Sequence, residues 1–146
     1  MHPYPHRYKV RVGATADGEV RLGGEGLPDL PSMPPPEFDG PGGYWSPETL
    51  LVAAVADCFA LSFRSIARAS RFEWTELTAE VNGLLERSDG VARFTRFETH
   101  AQLVVPAGTD PARARTLMEK AEKICLISNS LSAERHLECE VIEDEP

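Results

Sequence analysis

The segment SPETLLVAAVADCFALSF, residues 46–63, places the strongest constraint on how this chain can fold. Ser46 is a favoured N-cap residue and Pro47 suits the first helical position, so a helix is predicted to begin here. Its apolar residues cover most of the helical circumference as far as Arg64, and a helix that is apolar on all sides is normally enclosed on all sides. A chain of 146 residues has little material with which to enclose it, so the sequence predicts that a second subunit does so.

The length and charge of the chain limit its organisation and its partners. A length of 146 residues suits one domain, and we predict a single domain over residues 1–146. The formal net charge is −8 and the basic residues are scattered, which argues against nucleic acid or an anionic membrane as the main partner. The apolar run 50–63 is too short to span a bilayer and is broken by Asp57, so no membrane span is predicted.

The three cysteines are far apart and form no CxxC motif. Their odd number, and an N-terminal segment without the apolar core of a signal peptide, indicate the reducing cytoplasm and not a disulfide scaffold. No pair of cysteines has the spacing of a metal site, and no glycine-rich phosphate-binding motif is found. We therefore predict neither a metal nor a cofactor.

Hydrophobic periodicity predicts an α+β fold with antiparallel sheet. The predicted turns are Asp17-Gly18 and Ser88-Asp89-Gly90, and Thr109-Asp110-Pro111 is predicted to cap a second helix. Besides the helix that begins at Pro47, the predicted elements are a β-hairpin over 6–22, strands over 74–87 and 92–105, a helix over 109–124, a helical turn within 128–134 and a strand over 136–142.

Residues 23–45 are predicted to form a long loop rich in proline and glycine. The range 23–47 holds seven of the twelve prolines and six of the eleven glycines. A short strand around Phe38 is the one regular element predicted in this loop. Loops of such length within compact domains are usually functional or disordered, and both an ordered cover over a site and mobile filler fit the composition.

Each residue that could carry chemistry has a structural interpretation beside the functional one. Free cysteine is often a small buried hydrophobe, which suits Cys58 within its apolar helix and Cys139 within the alternating final strand. Glu48 fits a first-turn carboxylate that interacts with the helix dipole. Cys125 is different, because it follows an amphipathic helix and precedes a polar segment where a thiol could be reached. Cys58 and Cys125 could therefore meet in space.

Two segments together resemble the OsmC/Ohr family of thiol peroxidases. SPETLLVAAVADCFALSF is similar to the family pattern of Ser/Asn-Pro-Glu followed by an Ala/Leu-rich helix, with a cysteine ten residues after the glutamate. AEKICLISNSL is similar to the pattern A-x-x-x-C-P-(V/I)-S-x-x-L, and the separation of 67 residues between the cysteines (125 − 58) also fits. The resemblance covers most of residues 45–142.

The resemblance implies a fold, a site and a reaction. The fold would be an intertwined homodimer with antiparallel sheets packed on buried central helices, and the site would lie at the subunit interface. Cys58 would be the peroxidatic cysteine, Cys125 the resolving cysteine and Glu48 the active-site glutamate. The chain would then be an antioxidant enzyme that reduces organic hydroperoxides in an oxidative stress response. A dithiol reductant, lipoyl-based in the better-known branch, would restore the thiols.

Helix geometry limits how Glu48 and Cys58 can share a site. Ten residues of straight α-helix separate them by ~15 Å and put them ~80° out of phase. Either the start of the helix is unwound, or Glu48 reaches the thiol from a partner chain.

The chain departs from the family pattern at the arginine that pairs with the thiolate. Ala16 and Glu37 occupy the two positions where the branches of the family carry it, and Leu126 replaces the proline after the second cysteine. Arg11, Arg21 or Arg64 could substitute for the missing cation. The peroxidase is the preferred function, because two cysteines and Glu48 stand at family positions. The departures support an alternative, in which an OsmC-fold protein binds a small ligand or senses redox change without efficient peroxidase activity. A plain structural domain ranks below both, because two cysteine motifs coincide.

Overall fold

A computed structural model describes residues 1–145, which form two compact units, one before and one after Leu50. Helix α1, Pro47–Ala69, is continuous across this division and confirms the predicted helix start. Ser46 caps it as expected, since its Oγ accepts a hydrogen bond from the Thr49 backbone N–H at 3.1 Å. The Ser46 N–H donates in return to Thr49 Oγ1 at 2.8 Å, so this helix end satisfies two backbone donors.

The first unit contains a three-stranded antiparallel sheet in the order β1-β2-β3. Its strands are β1 Arg11–Gly13, β2 Val20–Gly23 and β3 Leu30–Ser32. The hairpin predicted over 6–22 is confirmed, and Gly18 at its turn has a φ of +88°, which favours glycine. Strand β1 begins later than the alternating pattern suggested.

The predicted strand around Phe38 is wrong. Pro36–Phe38 form a 3₁₀ turn, and the regular strand of the 23–45 segment is β3 instead. Consecutive prolines at 34–36 lack the N–H groups that a strand would contribute to a ladder, which explains why no strand forms next to them.

The second unit is built on a sheet in the order β4-β5-β6. Strands β4 Glu76–Ser88 and β5 Val91–Val105 form an antiparallel hairpin, and Asp89 and Gly90 at its turn have φ values of 52° and 76°. Both turn residues thus adopt the positive φ of a type I′ turn.

Strand β6, Glu134–Glu143, pairs with β5 in parallel. The expected antiparallel arrangement therefore holds for the first sheet and for β4–β5, whereas β6 makes the second sheet mixed. The reason is the long connection, because helix α2, Pro111–Ile124, and helix α3, Leu126–Asn129, carry the chain back before β6 begins. The α3 turn comes two residues earlier than the one predicted within 128–134.

The core of the second unit lies on one face of this sheet. The alternation predicted for β5 is confirmed, since its inner residues are all buried: Phe97, Thr99, Ala101, Leu103 and Val105. Helix α1 packs against the core with a stripe at helical spacing: Phe59, Phe63, Ile66 and Ala67. Helix α2 contributes the matching stripe: Ala114, Leu117, Met118 and Ala121.

Within one chain, much of α1 is only partly buried. Only 28% of its most apolar 18-residue window is buried, and by length and composition alone this helix could span a membrane. Leu61, in its middle, is 50% exposed. Its Phe59–Ala67 stripe nevertheless packs in the core of a globular unit, so the exposed apolar surface is what needs a further partner.

We predict that Gly83→Ala destabilises the protein. A Cβ at this β4 position would lie 2.8 Å from Val52 Cγ2 and about as close to the rings of Phe94 and Phe97. Such overpacking typically costs about 1–3 kcal/mol of unfolding free energy. Urea unfolding at a fixed protein concentration measures this change in unfolding free energy. Gly13→Ala in β1 is the matched control, because its Cβ meets no atom within 4 Å. Equal stability of the two variants would contradict the predicted packing.

Candidate functional site

Cys58 lies in the middle of α1, at the edge of the core. It directly precedes the fully buried Phe59 and is itself partly exposed. Its Sγ is 3.9 Å from Ser62 Oγ, one helical turn further along α1. The Cys58 thiol therefore has a hydroxyl neighbour from its own helix and an opening toward the surface.

Cys125 connects α2 to α3. Its ψ of 105° interrupts the helical path, so that one residue ends α2 and begins α3. The sequence predicted a reachable thiol here, but the structure corrects this, since Cys125 has 0% exposure and belongs to the core. The polar residues that follow it lie on the short helix α3, while the cysteine side chain itself is packed inside the second unit.

The structure brings Cys58 and Cys125 together. Burial raises the pKa of Cys125, and the nearby Cys58 thiol raises it further, whereas the hydroxyl and backbone N–H of Ser128 lower it. Cys58, Cys125 and Ser128 are therefore neighbours, although the two cysteines are 67 residues apart in sequence (125 − 58). Both thiols are free.

Ser128 is a member of this cluster that the sequence analysis missed. It is 2% exposed, and its Oγ makes no hydrogen bond of good geometry among the described residues, so its effect on Cys125 is a weak polar contact. Its position three residues after Cys125 in the SNS segment was the available signal. Ser62 could have been found in the same way, because it lies one turn from Cys58.

Glu48 occupies the first turn of α1, as predicted. Its Oε1 is buried and has no hydrogen-bond partner within residues 1–145. Because α1 is regular from Pro47, the alternative of an unwound helix start is removed, and the helical rise separates Glu48 from Cys58 of the same chain by ~15 Å.

No arginine forms a hydrogen bond or ion pair with Cys58 or Cys125 in the part of the chain that the structure describes. Of the three arginines considered as substitutes, Arg21 pairs with Glu19 at 3.4 Å, and Arg11 and Arg64 are exposed. Within the same residues, no cluster of three His, Cys, Asp or Glu side chains is arranged to hold a metal ion.

The third cysteine lies apart from this cluster. Cys139 is on β6 and packs against the core, as predicted. Burial, with smaller contributions from the Glu119 and Glu122 carboxylates, raises the pKa of Cys139 to about 11, and Arg115 opposes the shift. Cys139 is therefore a structural residue and a poor nucleophile near neutral pH.

We predict that iodoacetamide at pH 8 labels Cys58 well before Cys139 in the folded protein. With a pKa of about 11, only roughly one Cys139 side chain in a thousand is a thiolate at that pH. Peptide mapping by mass spectrometry measures both rates, and Cys139 labelling should rise steeply as the pH approaches 11. The urea-unfolded chain is the control, and Cys139 labelling as fast as in that chain would contradict its burial.

Most of the chain is similar in sequence to known proteins. A family model described as OsmC-like protein matches residues 40–140. The uncharacterized protein YmaD of Bacillus subtilis (strain 168) is 28% identical over an alignment of 109 residues, which covers 73% of this chain and 73% of that protein.

Two solved structures share the fold. One is an OsmC-like protein of unknown function from Vibrio cholerae, 21% identical with a TM-score of 0.84, covering 92% of this chain and 99% of that one. The other is an organic hydroperoxide resistance protein OsmC from Legionella pneumophila, 23% identical with a TM-score of 0.75, covering 96% and 99%. With the family model matched over residues 40–140 and the fold shared, this chain belongs to the OsmC-like protein family.

Proposed function

We propose that this protein is a thiol-dependent peroxidase that reduces organic hydroperoxides through Cys58 and Cys125. The observation that carries the proposal is the meeting of these two distant thiols at the edge of one core. A partly exposed thiol beside a buried one suits a two-step reaction. Cys58, which is partly exposed, would react with the substrate, and Cys125, which is buried, would react only with Cys58. The relative from Legionella pneumophila is described as an organic hydroperoxide resistance protein, which supports the substrate class.

The first step oxidises Cys58. Its thiolate attacks one oxygen of the hydroperoxide, an S–O bond forms as the O–O bond breaks, and the organic fragment leaves as an alcohol after it takes up a proton. Cys58 is then a sulfenic acid.

The second step forms a disulfide. The Cys125 sulfur attacks the Cys58 sulfur, an S–S bond forms, and the sulfenic hydroxyl leaves as water with the Cys125 thiol proton. A dithiol reductant, for which a lipoyl group is a candidate, reopens the disulfide by two exchange reactions and is itself oxidised to a disulfide. Because all three cysteines are free and the reaction consumes a dithiol, we place the protein in the reducing cytoplasm.

A homodimer is part of the proposal. The exposed apolar surface of α1, with Leu61 at its middle, is the kind of surface that a second copy of the helix covers. The unpartnered buried Oε1 of Glu48 is a second sign of a missing neighbour. In this arrangement Glu48 serves the thiol site across the interface, which resolves the ~15 Å separation along one helix.

We expect a dimer mass by light scattering at micromolar protein, and we expect Leu61→Glu to shift the protein toward monomer. The substitution would bury a carboxylate in the apolar interface without a partner, which is strongly unfavourable. Thr116→Glu, on the exposed side of α2, is the matched control and should remain dimeric. A monomeric wild-type protein would overturn the dimer and, with it, the shared site.

A second candidate function follows from the missing cation. Neither cysteine contacts a guanidinium group among residues 1–145, and Ala16 and Glu37 stand at the positions where the resembling peroxidases carry arginine. The chain would then keep the fold and hold a small apolar ligand, with Cys58 as a slowly oxidised sensor. Rate is the property that separates the two functions, because both predict an oxidisable Cys58.

The decisive measurement is single-turnover loss of free thiol with cumene hydroperoxide and with hydrogen peroxide. The peroxidase proposal predicts oxidation of the wild type that is faster with the organic peroxide and absent in Cys58→Ser. In Cys125→Ser, Cys58 should react once and then over-oxidise to sulfinic acid, since nothing resolves it. Oxidation no faster than that of an ordinary free cysteine would reject the peroxidase and favour the sensor.

A further inference from the structure

Arg135 on β6 ties together both sides of the turn that carries Cys125. Its Nη2 donates to the Glu122 backbone carbonyl at 2.6 Å, and its Nε lies 3.0 Å from Glu122 Oε1. Its Nη1 donates to Asn129 Oδ1 at 2.7 Å. Glu122 stands three residues before Cys125 and Asn129 four residues after it, so one guanidinium group bridges the last turn of α2 and the end of α3.

Asn129 closes the same network from the other side. While its Oδ1 accepts from Arg135, its Nδ2 donates to the Lys123 carbonyl at 3.1 Å. Carbonyls at the end of a helix lack partners within the helix, and two of those at the end of α2 are satisfied by side chains of this network. We call Arg135, Glu122 and Asn129 the Arg135 clamp.

The ion pair of the clamp is largely shielded from solvent. The Arg135 and Glu122 side chains are 24% and 13% exposed. Burial raises the pKa of Glu122, and the charge and hydrogen bond of Arg135 act against that shift. Removal of Arg135 would leave a largely buried carboxylate without its counterion, so the local conformation depends on this residue.

We propose that Arg135 is a positioning residue that holds the Cys125 sulfur in line for attack on Cys58. This inference rests on the proposed two-cysteine chemistry and adds a residue that touches neither sulfur. Attack on a sulfur requires a defined approach, and a displacement of about 1 Å can slow such a step by about 100-fold. Cys125 sits between two helix ends that the Arg135 clamp bridges, so its main-chain position is set by the clamp.

The test uses an aromatic disulfide, 5,5′-dithiobis(2-nitrobenzoate), so that it does not depend on peroxide reactivity. The Cys58 thiolate attacks the reagent, releases one thionitrobenzoate and keeps the other as a mixed disulfide. Cys125 then attacks the Cys58 sulfur, forms the protein disulfide and releases the second thionitrobenzoate. All chains carry Cys139→Ala, so that the two releases report only these two cysteines.

We expect Arg135→Lys to slow the second release by about 10- to 100-fold while the first release keeps its rate. Lysine retains the charge, but its single ammonium group cannot bridge Glu122 and Asn129 as the planar guanidinium does. Asn129→Ala, at an exposed position, removes the hydrogen bonds of Asn129 to Arg135 and Lys123 but leaves the Arg135–Glu122 ion pair, so it should slow the second release less. It also provides the test if Arg135→Lys does not fold.

Arg113→Lys is the matched control. The Arg113 guanidinium donates to the Ser70 carbonyl at 2.7 Å and stacks on the Phe72 ring, at the opposite end of α2. If the role of Arg135 is merely structural, Arg135→Lys will lower the urea concentration at the midpoint of unfolding. The ratio of its two release rates will then equal that of the parent and of Arg113→Lys.

The possible failures are distinguishable. If the parent chain gives the first release without the second, the two-cysteine chemistry itself is rejected, and the inference falls with it. If the parent gives both releases and neither Arg135→Lys nor Asn129→Ala changes their ratio, the inference alone is overturned. A slower second release in Arg135→Lys, with Arg113→Lys unchanged, establishes Arg135 as a positioning residue.

Discussion

The packing of the α1 stripe against the second sheet is the contact on which the rest of the structure depends. Phe59 and Phe63 have no exposed surface, and Phe63 meets Trp74 edge to face at a ring separation of 5.4 Å. This packing fixes the rotation of α1 about its axis. Cys58 directly precedes Phe59 and so points about 100° away from it, which puts the thiol at the border of the core. Burial of the phenylalanines therefore determines how far the cysteine is exposed.

The parallel pairing of β6 with β5 has a matching consequence for Cys125. A parallel strand requires a long crossover, and here the crossover consists of α2 and α3. Cys125 sits where the first of these helices ends, and the buried face of α2 holds that end against the core. Arg135 belongs to β6 and bonds to the same helix end. The strand that imposes the crossover thus also supplies the side chain that secures the cysteine turn.

Local sequence patterns predicted the elements, but not the contacts that depend on distant residues. The Ser46 cap, the Asp89-Gly90 turn and the alternation of β5 could all be read because each signal lies within a few residues. The direction of β6 and the burial of Cys125 could not be predicted from the sequence, since both depend on where a later segment packs. The hydrogen bonds of the Arg135 clamp join residues that are separated by 6 and by 13 positions in the sequence, and such bonds produce no periodic sequence pattern.

The environments of the two thiols suit the proposed reaction, in which Cys58 reacts first. Burial raises the pKa of Cys125, so this cysteine stays protonated near neutral pH and attacks poorly while it has no activated partner. Sulfenic acid at Cys58 supplies a reactive sulfur and a leaving hydroxyl that can take the Cys125 proton. The same desolvation that keeps Cys125 from reacting with solutes thus leaves it available for one intramolecular reaction.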